Sequence, residues 1–294
     1  MNVVKGRVSA GLLAGFLLSV LVTGASAQSN LLADFKLKSD GTDALGNCPP
    51  MSLNNVSFAN GALQLPAGNY VAAATINGFS YNSFTVAVDF NPTDLSTAHE
   101  TILTGGPLYR WLGLITDGDG HLEIYFNNRN LLYSFTNSIQ TNAWHTLFCS
   151  VDLPSQTVVT FLDGQHLPDI NLSSFTFDVI GTPDEEEDKA FSFVDDGDAI
   201  PFYGAAANLR VYNRALSAAE IASLMVPTLS LQLSGQSVLI SWPVSANGYQ
   251  LLSTSALAPP VSWTTNSASP LLIGSQNVII ESMDVERFYR LKKF

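Results

Sequence analysis

Asn208-Leu209-Arg210-Val211-Tyr212-Asn213-Arg214-Ala215-Leu216-Ser217-Ala218-Ala219-Glu220-Ile221 decides the fold of this chain. Leu209 and Val211 alternate with Arg210 and Tyr212, the period of a strand with one buried face. The chain then turns at Asn213-Arg214 and enters a short helix. Ser217 is placed to cap that helix, and Glu220 three residues on completes an S-x-x-E capping box. A strand, a turn and a short helix in this order close a β-sandwich.

Working outward, the upstream chain is strand after strand with polar turns between. Phe84, Val86, Val88 and Phe90 fall on one face of an alternating run. Thr101-Ile102-Leu103 and Trp111-Leu112-Gly113-Leu114-Ile115 follow, and Asp117-Gly118-Asp119-Gly120 is a tight-turn signal leading into Leu122-Glu123-Ile124-Tyr125-Phe126. Trp144 to Val151 and Thr157 to Leu162 are joined through Leu153-Pro154-Ser155, and the second run ends at Asp163-Gly164. Helical periodicity is confined to Ser217 to Met225. The pattern predicts an all-β chain built on an antiparallel β-sandwich.

Three motifs in order resemble the laminin-G-like domains of the concanavalin A-like lectin/glucanase superfamily. Phe84-Thr85-Val86 resembles the early strand. Trp144-His145, an apolar strand and then Phe161-Leu162-Asp163-Gly164 resemble the central hairpin. The Asn208–Ile221 stretch resembles the closing signature. Together they span about Phe84 to Leu224, and Asn60-Gly61-Ala62-Leu63 is similar to a further strand of the family. The resemblance implies a concanavalin A-like jelly roll, with Trp144 in its core and often one Ca²⁺ at its rim.

The ends of the chain differ from this middle. Met1 to Ala27 has an export signal's layout: Lys5 and Arg7, an uncharged apolar run from Val8 to Thr23, and Ala25-Ser26-Ala27 as the cleavage site. An uncleaved anchor is the alternative, since the run approaches bilayer-spanning length. The expected product is a secreted chain (medium, cell surface or periplasm) that starts at Gln28 and has no membrane span. Its sandwich should occupy residues 28–226. At Met225-Val226-Pro227-Thr228 the helix must stop, and a new strand pattern begins with Leu229, Leu231 and Leu233, turning at Ser234-Gly235-Gln236. Residues 227–294 therefore read as a small second β domain with Trp242 and Trp263 as packing mass. From Ile240-Ser241-Trp242-Pro243 to Phe288-Tyr289-Arg290-Leu291 it resembles a C-terminal module appended to many exported bacterial proteins.

Charge narrows the partners. The chain carries 13 Lys+Arg against 25 Asp+Glu, a net charge of −12, and loss of Lys5 and Arg7 with the leader leaves 11 basic residues and −14. With no basic cluster, nucleic acid is excluded as a partner. The two cysteines, Cys48 and Cys149, invite a disulfide in an oxidising compartment. Otherwise Cys149 is a small buried apolar residue in a strand.

Candidate chemistry is sparse. Enzymes of the superfamily place Glu-x-Asp-x-x-Glu on one strand face, so that one carboxylate attacks while another protonates the leaving oxygen. Glu186-Glu187-Asp188-Lys189-Ala190-Phe191 comes nearest, but Phe191 replaces the last carboxylate and the cluster reads as a loop. Glu123 and Asp89 each stand alone in their strands, so no catalytic residue is assigned and no enzyme activity is expected. No cofactor is required by this reading. Ca²⁺ could be held by Asp117 with Asp119, or by Asp195, Asp196 and Asp198, with plain turn and loop chemistry as the alternative. Tyr109-Arg110-Trp111 is the best local aromatic platform for a sugar ring, unless Trp111 opens a buried strand.

The leading functional expectation is an exported non-catalytic module that binds a polysaccharide or other glycan. A structural or adhesive domain contacting another surface protein is the alternative of a different class. A polysaccharide hydrolase or lyase is the third.

Overall fold

The computed structural model describes residues 30–96, 100–105, 112–126, 130–173, 190–193, 200–244, 246, 249–282 and 286–293. Two large sheets pack face to face. The first contains β1 (Leu31–Phe35), β3 (Ser57–Ala59), β4 (Ala62–Leu65), β6 (Ser83–Pro92), β11 (His145–Asp152), β12 (Thr157–Leu162), β13 (Gln165–His166), β14 (Ile170–Asn171) and β17 (Gly204–Tyr212). Its order is β13-β12-β11-β6-β17-β4-β3, with β1 on β17 and β14 on β12.

The second contains β2 (Ser52–Asn54), β5 (Val71–Thr75), β7 (Glu100–Gly105), β8 (Leu112–Thr116), β9 (His121–Phe126), β10 (Asn130–Ser138), β15 (Ala190–Ser192) and β16 (Ile200–Pro201). Its order is β10-β9-β8-β7-β15-β5-β2, and β16 runs parallel to β7. Every other pairing is antiparallel, as the alternating sequence requires.

Strand period sorts the side chains. Phe84, Val86, Val88 and Phe90 of β6, Leu147, Cys149 and Val151 of β11, and Leu209 and Val211 of β17 point between the sheets. Leu112, Leu114, Leu122, Ile124 and Phe126 meet them from the second sheet, and Phe79 joins the layers by ring contacts 5.1 Å from Phe84 and 5.5 Å from Phe191. The opposite parity of the first sheet builds a second, smaller cluster: Ala87, Phe148, Phe161 and Tyr212 are covered by Leu216 and Ile221.

That cover is the helix read from the opening stretch, α1 (Ala218–Leu224). Ser217 Oγ accepts the Glu220 N–H, the Glu220 carboxylate accepts the Ser217 N–H at 3.0 Å, and Arg214 grips the same carboxylate through both terminal nitrogens at 3.0 and 2.5 Å. The Arg214 guanidinium and then the Ser217 N–H hold the Glu220 carboxyl down at about 2. A carboxyl depressed in the folded state stabilises above its ordinary value of 4.5, and the contribution is lost as pH falls toward 2. The side chain is 28% exposed, so solvent screens part of the effect. Glu220→Ala is expected to cost about 1–2 kcal/mol at pH 7. In denaturant titrations the gap from wild type should close between pH 4.5 and 2; a pH-independent gap would disprove the ion-pair origin.

Beyond α1 the chain forms two further sheets. One is β18 (Ser230–Ser234), β19 (Ser237–Pro243), β23 (Gln276–Ser282) and β22 (Leu271–Ile273), in that order; the other is β21 (Thr264–Thr265), β20 (Tyr249–Thr254) and β24 (Phe288–Lys293). They share a core of Leu229, Val238, Ile240, Trp242, Leu251, Ile279 and Tyr289. Trp242 fills the expected core role, but Trp263 does not: it is half-buried with the Arg290 guanidinium 4.3 Å above its ring.

This C-terminal module sits against the outer face of the first sheet. Val244 packs on Trp144, Ala62 and Ala207, so Trp144 is buried between the two parts of the chain rather than between the two large sheets. Two hairpin tips meet beside it, because a Cβ at Gly274 would lie 2.6 Å from the Asn60 carbonyl oxygen.

Candidate functional site

The outward parity of the first sheet carries more than the helix. Asp89 of β6 faces this side, and β17 brings two polar partners to it. Pairing of β17 with β6 slips between Ala207 and Arg210, so one extra residue bulges, and Asn208 takes a left-handed conformation at φ 51°. Asn tolerates that conformation. Its side-chain amide then donates to Asp89 Oδ2 at 2.7 Å and reaches Ser275 Oγ of the C-terminal module at 3.4 Å. Thr146 of β11 donates its hydroxyl to Asp89 Oδ1 at 2.7 Å.

Arg210 is opposite Ala87 on one side and Asp34 on the other, and its guanidinium lies 5.1 Å from the Phe148 ring centre. Asp34 pairs with Lys36 at 2.6 Å. Burial pushes the Asp89 carboxyl above its usual range, and the nearby Arg210 charge and the Asn208 and Thr146 hydrogen bonds only partly offset it.

A second carboxylate reaches the same face through a turn. Asp163 and Gly164 both have positive φ in the two-residue loop between β12 and β13, the type I′ geometry that Asp-Gly favours. Asp163 accepts the Thr146 N–H at 2.8 Å and lies 2.7 Å from His145 Nδ1. Burial opposes charge on His145, yet the Asp163 hydrogen bond and charge and the Gln140 backbone outweigh it and raise its pKa.

These residues form the floor of a cleft of about 300 Å³ whose other wall comes from the end of α1, the Met225–Thr228 linker and Pro243, Ala246 and Tyr249. The floor is polar, with Lys36, Asp89, Asp163, Asn208 and Arg210. The facing wall is largely apolar, with Met225, Val226, Pro227, Pro243 and Ala246.

The residues singled out from sequence fare differently. Tyr109, Arg110 and Trp111 lie outside the described residues, as do Asp195, Asp196 and Asp198, the Glu186–Lys189 cluster and the leader. Asp117 and Asp119 lie in the turn between β8 and β9, and His121 joins them, with their ligand-type atoms within 4.8 Å of one another. Both oxygens of Asp117 are engaged there: Oδ1 accepts the N–H groups of Asp119 and His121 at 3.0 and 2.8 Å, and Oδ2 is 2.8 Å from His121 Nδ1. Burial works against charge on Asp117, but these hydrogen bonds prevail and hold it below the usual range. Two carboxylates and an imidazole fall short of the six to eight oxygens Ca²⁺ takes.

Asp89 is not the isolated carboxylate its strand suggests, since Asn208, Arg210, Thr146 and Asp163 converge on it from three other segments. The available signal was a charged residue at outward parity in a strand whose other residues there (Ser83, Thr85, Ala87 and Asn91) are uncharged.

The disulfide is not formed. Cys48 and Cys149 are both free and buried. Cys149 stands mid-strand between Val86 and Thr160 with its side chain in the main core, whereas Cys48 Sγ accepts the Asn77 N–H at 3.4 Å. Burial raises both thiols, that of Cys149 to about 12. Neither should react with a thiol reagent in the native protein at pH 8, and unfolding without reductant should release both. Recovery of a disulfide-linked peptide pair would contradict this arrangement.

A family model described as the concanavalin A-like lectin/glucanases superfamily, of the laminin-G-like type, matches residues 65–222. The chain belongs to this family. No curated protein matches the chain. Among solved structures it is similar to domain 4 of AbnA, a GH43 extracellular arabinanase from Geobacillus stearothermophilus, in complex with arabinotriose. The identity is 22%, the TM-score 0.52, and the match covers 67% of this chain and 98% of that one. A mutant of Trypanosoma rangeli sialidase displaying trans-sialidase activity matches at 15% identity and TM-score 0.52, over 68% of this chain and only 33% of that one. A botulinum neurotoxin type C structure, whose cell entry depends on interaction with two ganglioside molecules, matches at 12% identity and TM-score 0.52, over 83% of this chain and 63% of that one. At such identities the likeness is one of fold.

Proposed function

We propose that this protein is an exported, non-catalytic glycan-binding module. The observation that carries the reading is membership of the lectin/glucanase superfamily together with a whole-domain match to a structure holding arabinotriose. The described carboxylates of the first sheet's outer face also favour binding over turnover. Asp89 is occupied by Asn208 and Thr146, and Asp163 by His145 and the Thr146 N–H. Groups so engaged serve to position side chains, whereas a glycosidase needs one carboxyl free to donate a proton and another to attack or to activate water.

A second reading, contact with another protein, draws on exposed Leu271, Leu272, Ile273 and Ile280 in the C-terminal module. The test is a glycan array probed with the chain starting at Gln28. Retention of oligosaccharides without release of reducing sugar is the expected result. An array with no bound glycan would favour the protein contact, and sustained sugar release abolished by one acidic substitution would favour an enzyme.

A further inference from the structure

The cleft under the C-terminal module is asymmetric in a way that specifies a ligand. Its floor presents hydrogen-bonding groups from three strands (β6, β11 and β17), from Lys36 just past β1 and from the Asp163 turn. Its opposite wall presents the linker, two prolines and Ala246. Sugar rings have the same asymmetry, with hydroxyls around the edge and C–H groups on the faces.

Charge narrows the class further. Lys36 and Arg210 stand on the floor with Asp89 and Asp163, and Lys36 is already paired with Asp34 at 2.6 Å, so the floor carries no net positive charge. A uronate, sialate or sulfate would bring its negative charge against two carboxylates with no net positive field to hold it. A neutral saccharide incurs no such repulsion.

The walls are also held in place. The close approach of Gly274 to Asn60, Val244 on Trp144, and the Ser275 contact with Asn208 fix the C-terminal module on the sheet that forms the floor. A site preorganised in this way loses little freedom on binding.

We propose that this cleft is a binding site for a neutral saccharide, built jointly by the sandwich and the C-terminal module. The assignment rests on the glycan reading above and extends it, because the family match ends at residue 222, before the linker and the Pro243, Ala246 and Tyr249 part of the second wall.

Two variants fill the cleft from exposed positions, Ala222→Trp on α1 and Thr228→Trp on the linker. Ala219→Trp, exposed on the same helix but not among the residues lining the cleft, is the control. The full chain from Gln28 is tested on an array of neutral oligosaccharides (arabinose-, glucose-, galactose- and mannose-based) and acidic ones (sialylated and uronate-containing). The strongest neutral trisaccharide is then titrated by calorimetry, with thermal unfolding confirming that each variant folds.

At least a tenfold loss of neutral-sugar affinity is expected in either cleft variant that folds, with Ala219→Trp unchanged. Neutral binding that survives both cleft variants would overturn the site. Binding of acidic glycans alone would overturn the ligand class. Failure to bind any glycan would overturn the underlying functional reading, a result distinguishable from the other two.

Discussion

Gly204→Ala is expected to abolish or severely weaken the fold, although it adds a single methyl group. Gly204 opens β17 between β4 and β6, opposite Leu65 on one side and Pro92 on the other, at φ 149°. A Cβ built there lies 2.0 Å from the Asn91 carbonyl oxygen and 3.1 Å from Pro92 Cα. Both are backbone atoms of a central strand, so relief requires the end of β6 and the start of β17 to separate. The strain also falls on a conformation that residues with a side chain rarely adopt. The cost should reach about 4 kcal/mol or more, enough to lower the melting temperature by roughly 10 °C or to prevent soluble expression.

Gly235→Ala provides the comparison. It too has positive φ, 61°, in the β18–β19 turn, but nothing lies within 4 Å of its Cβ. Only the conformational penalty remains there, about 1 kcal/mol. If the two variants melt alike, the clash at Gly204 is relieved by a local adjustment and does not destabilise the sheet.

The same contrast explains what could be read from the residues. Strand parity is a local property, so Phe84 to Phe90, Leu209 with Val211, and the Asp163-Gly164 turn announce themselves within a few positions. The Ser217–Glu220 capping box is equally local and appears as read. Gly204 carries no such mark, because its constraint comes from Asn91, more than a hundred residues earlier. The cleft is invisible for the same reason. Asn208 and Arg210 stand within the very stretch that decides the fold, but their role depends on a bulge that turns Asn208 toward Asp89. It also depends on a module that begins after the linker at Met225–Thr228. Trp144 reads as core and is buried, yet its partner Val244 belongs to the C-terminal module. The unformed Cys48–Cys149 bridge teaches the converse: an even count of cysteines says nothing of where the strands aim their sulfurs.

Asp89 gives the second large effect, and its substitutions separate charge from hydrogen bonding. Asp89→Leu leaves the Asn208 amide and the Thr146 hydroxyl without their acceptor and Arg210 without its nearby counter-charge. Breaking a buried polar network on one side costs about 3–5 kcal/mol. Asp89→Asn keeps one oxygen as an acceptor and removes a charge that burial already disfavours, so it should cost about 1 kcal/mol or less near neutral pH.

The pH dependence fixes the sign. The folded carboxyl has its pKa raised above the ordinary 3.8, with burial as the main cause and Asp163 adding repulsion. Below 3.8 the group is protonated in both folded and unfolded chains. As pH rises from there through the folded pKa, the unfolded chain gives up its proton first, and wild type loses stability until the buried carboxylate ionises as well. The Asn variant has no such loss at this position, whereas His145 titrates in both proteins and cancels in the comparison. Denaturant titrations between pH 4 and 8 should therefore show the stability difference moving in favour of Asp89→Asn as pH increases. A difference moving toward wild type would mean that the attraction of the nearby Arg210 charge outweighs the burial of Asp89, and that the cleft floor is held together by charge.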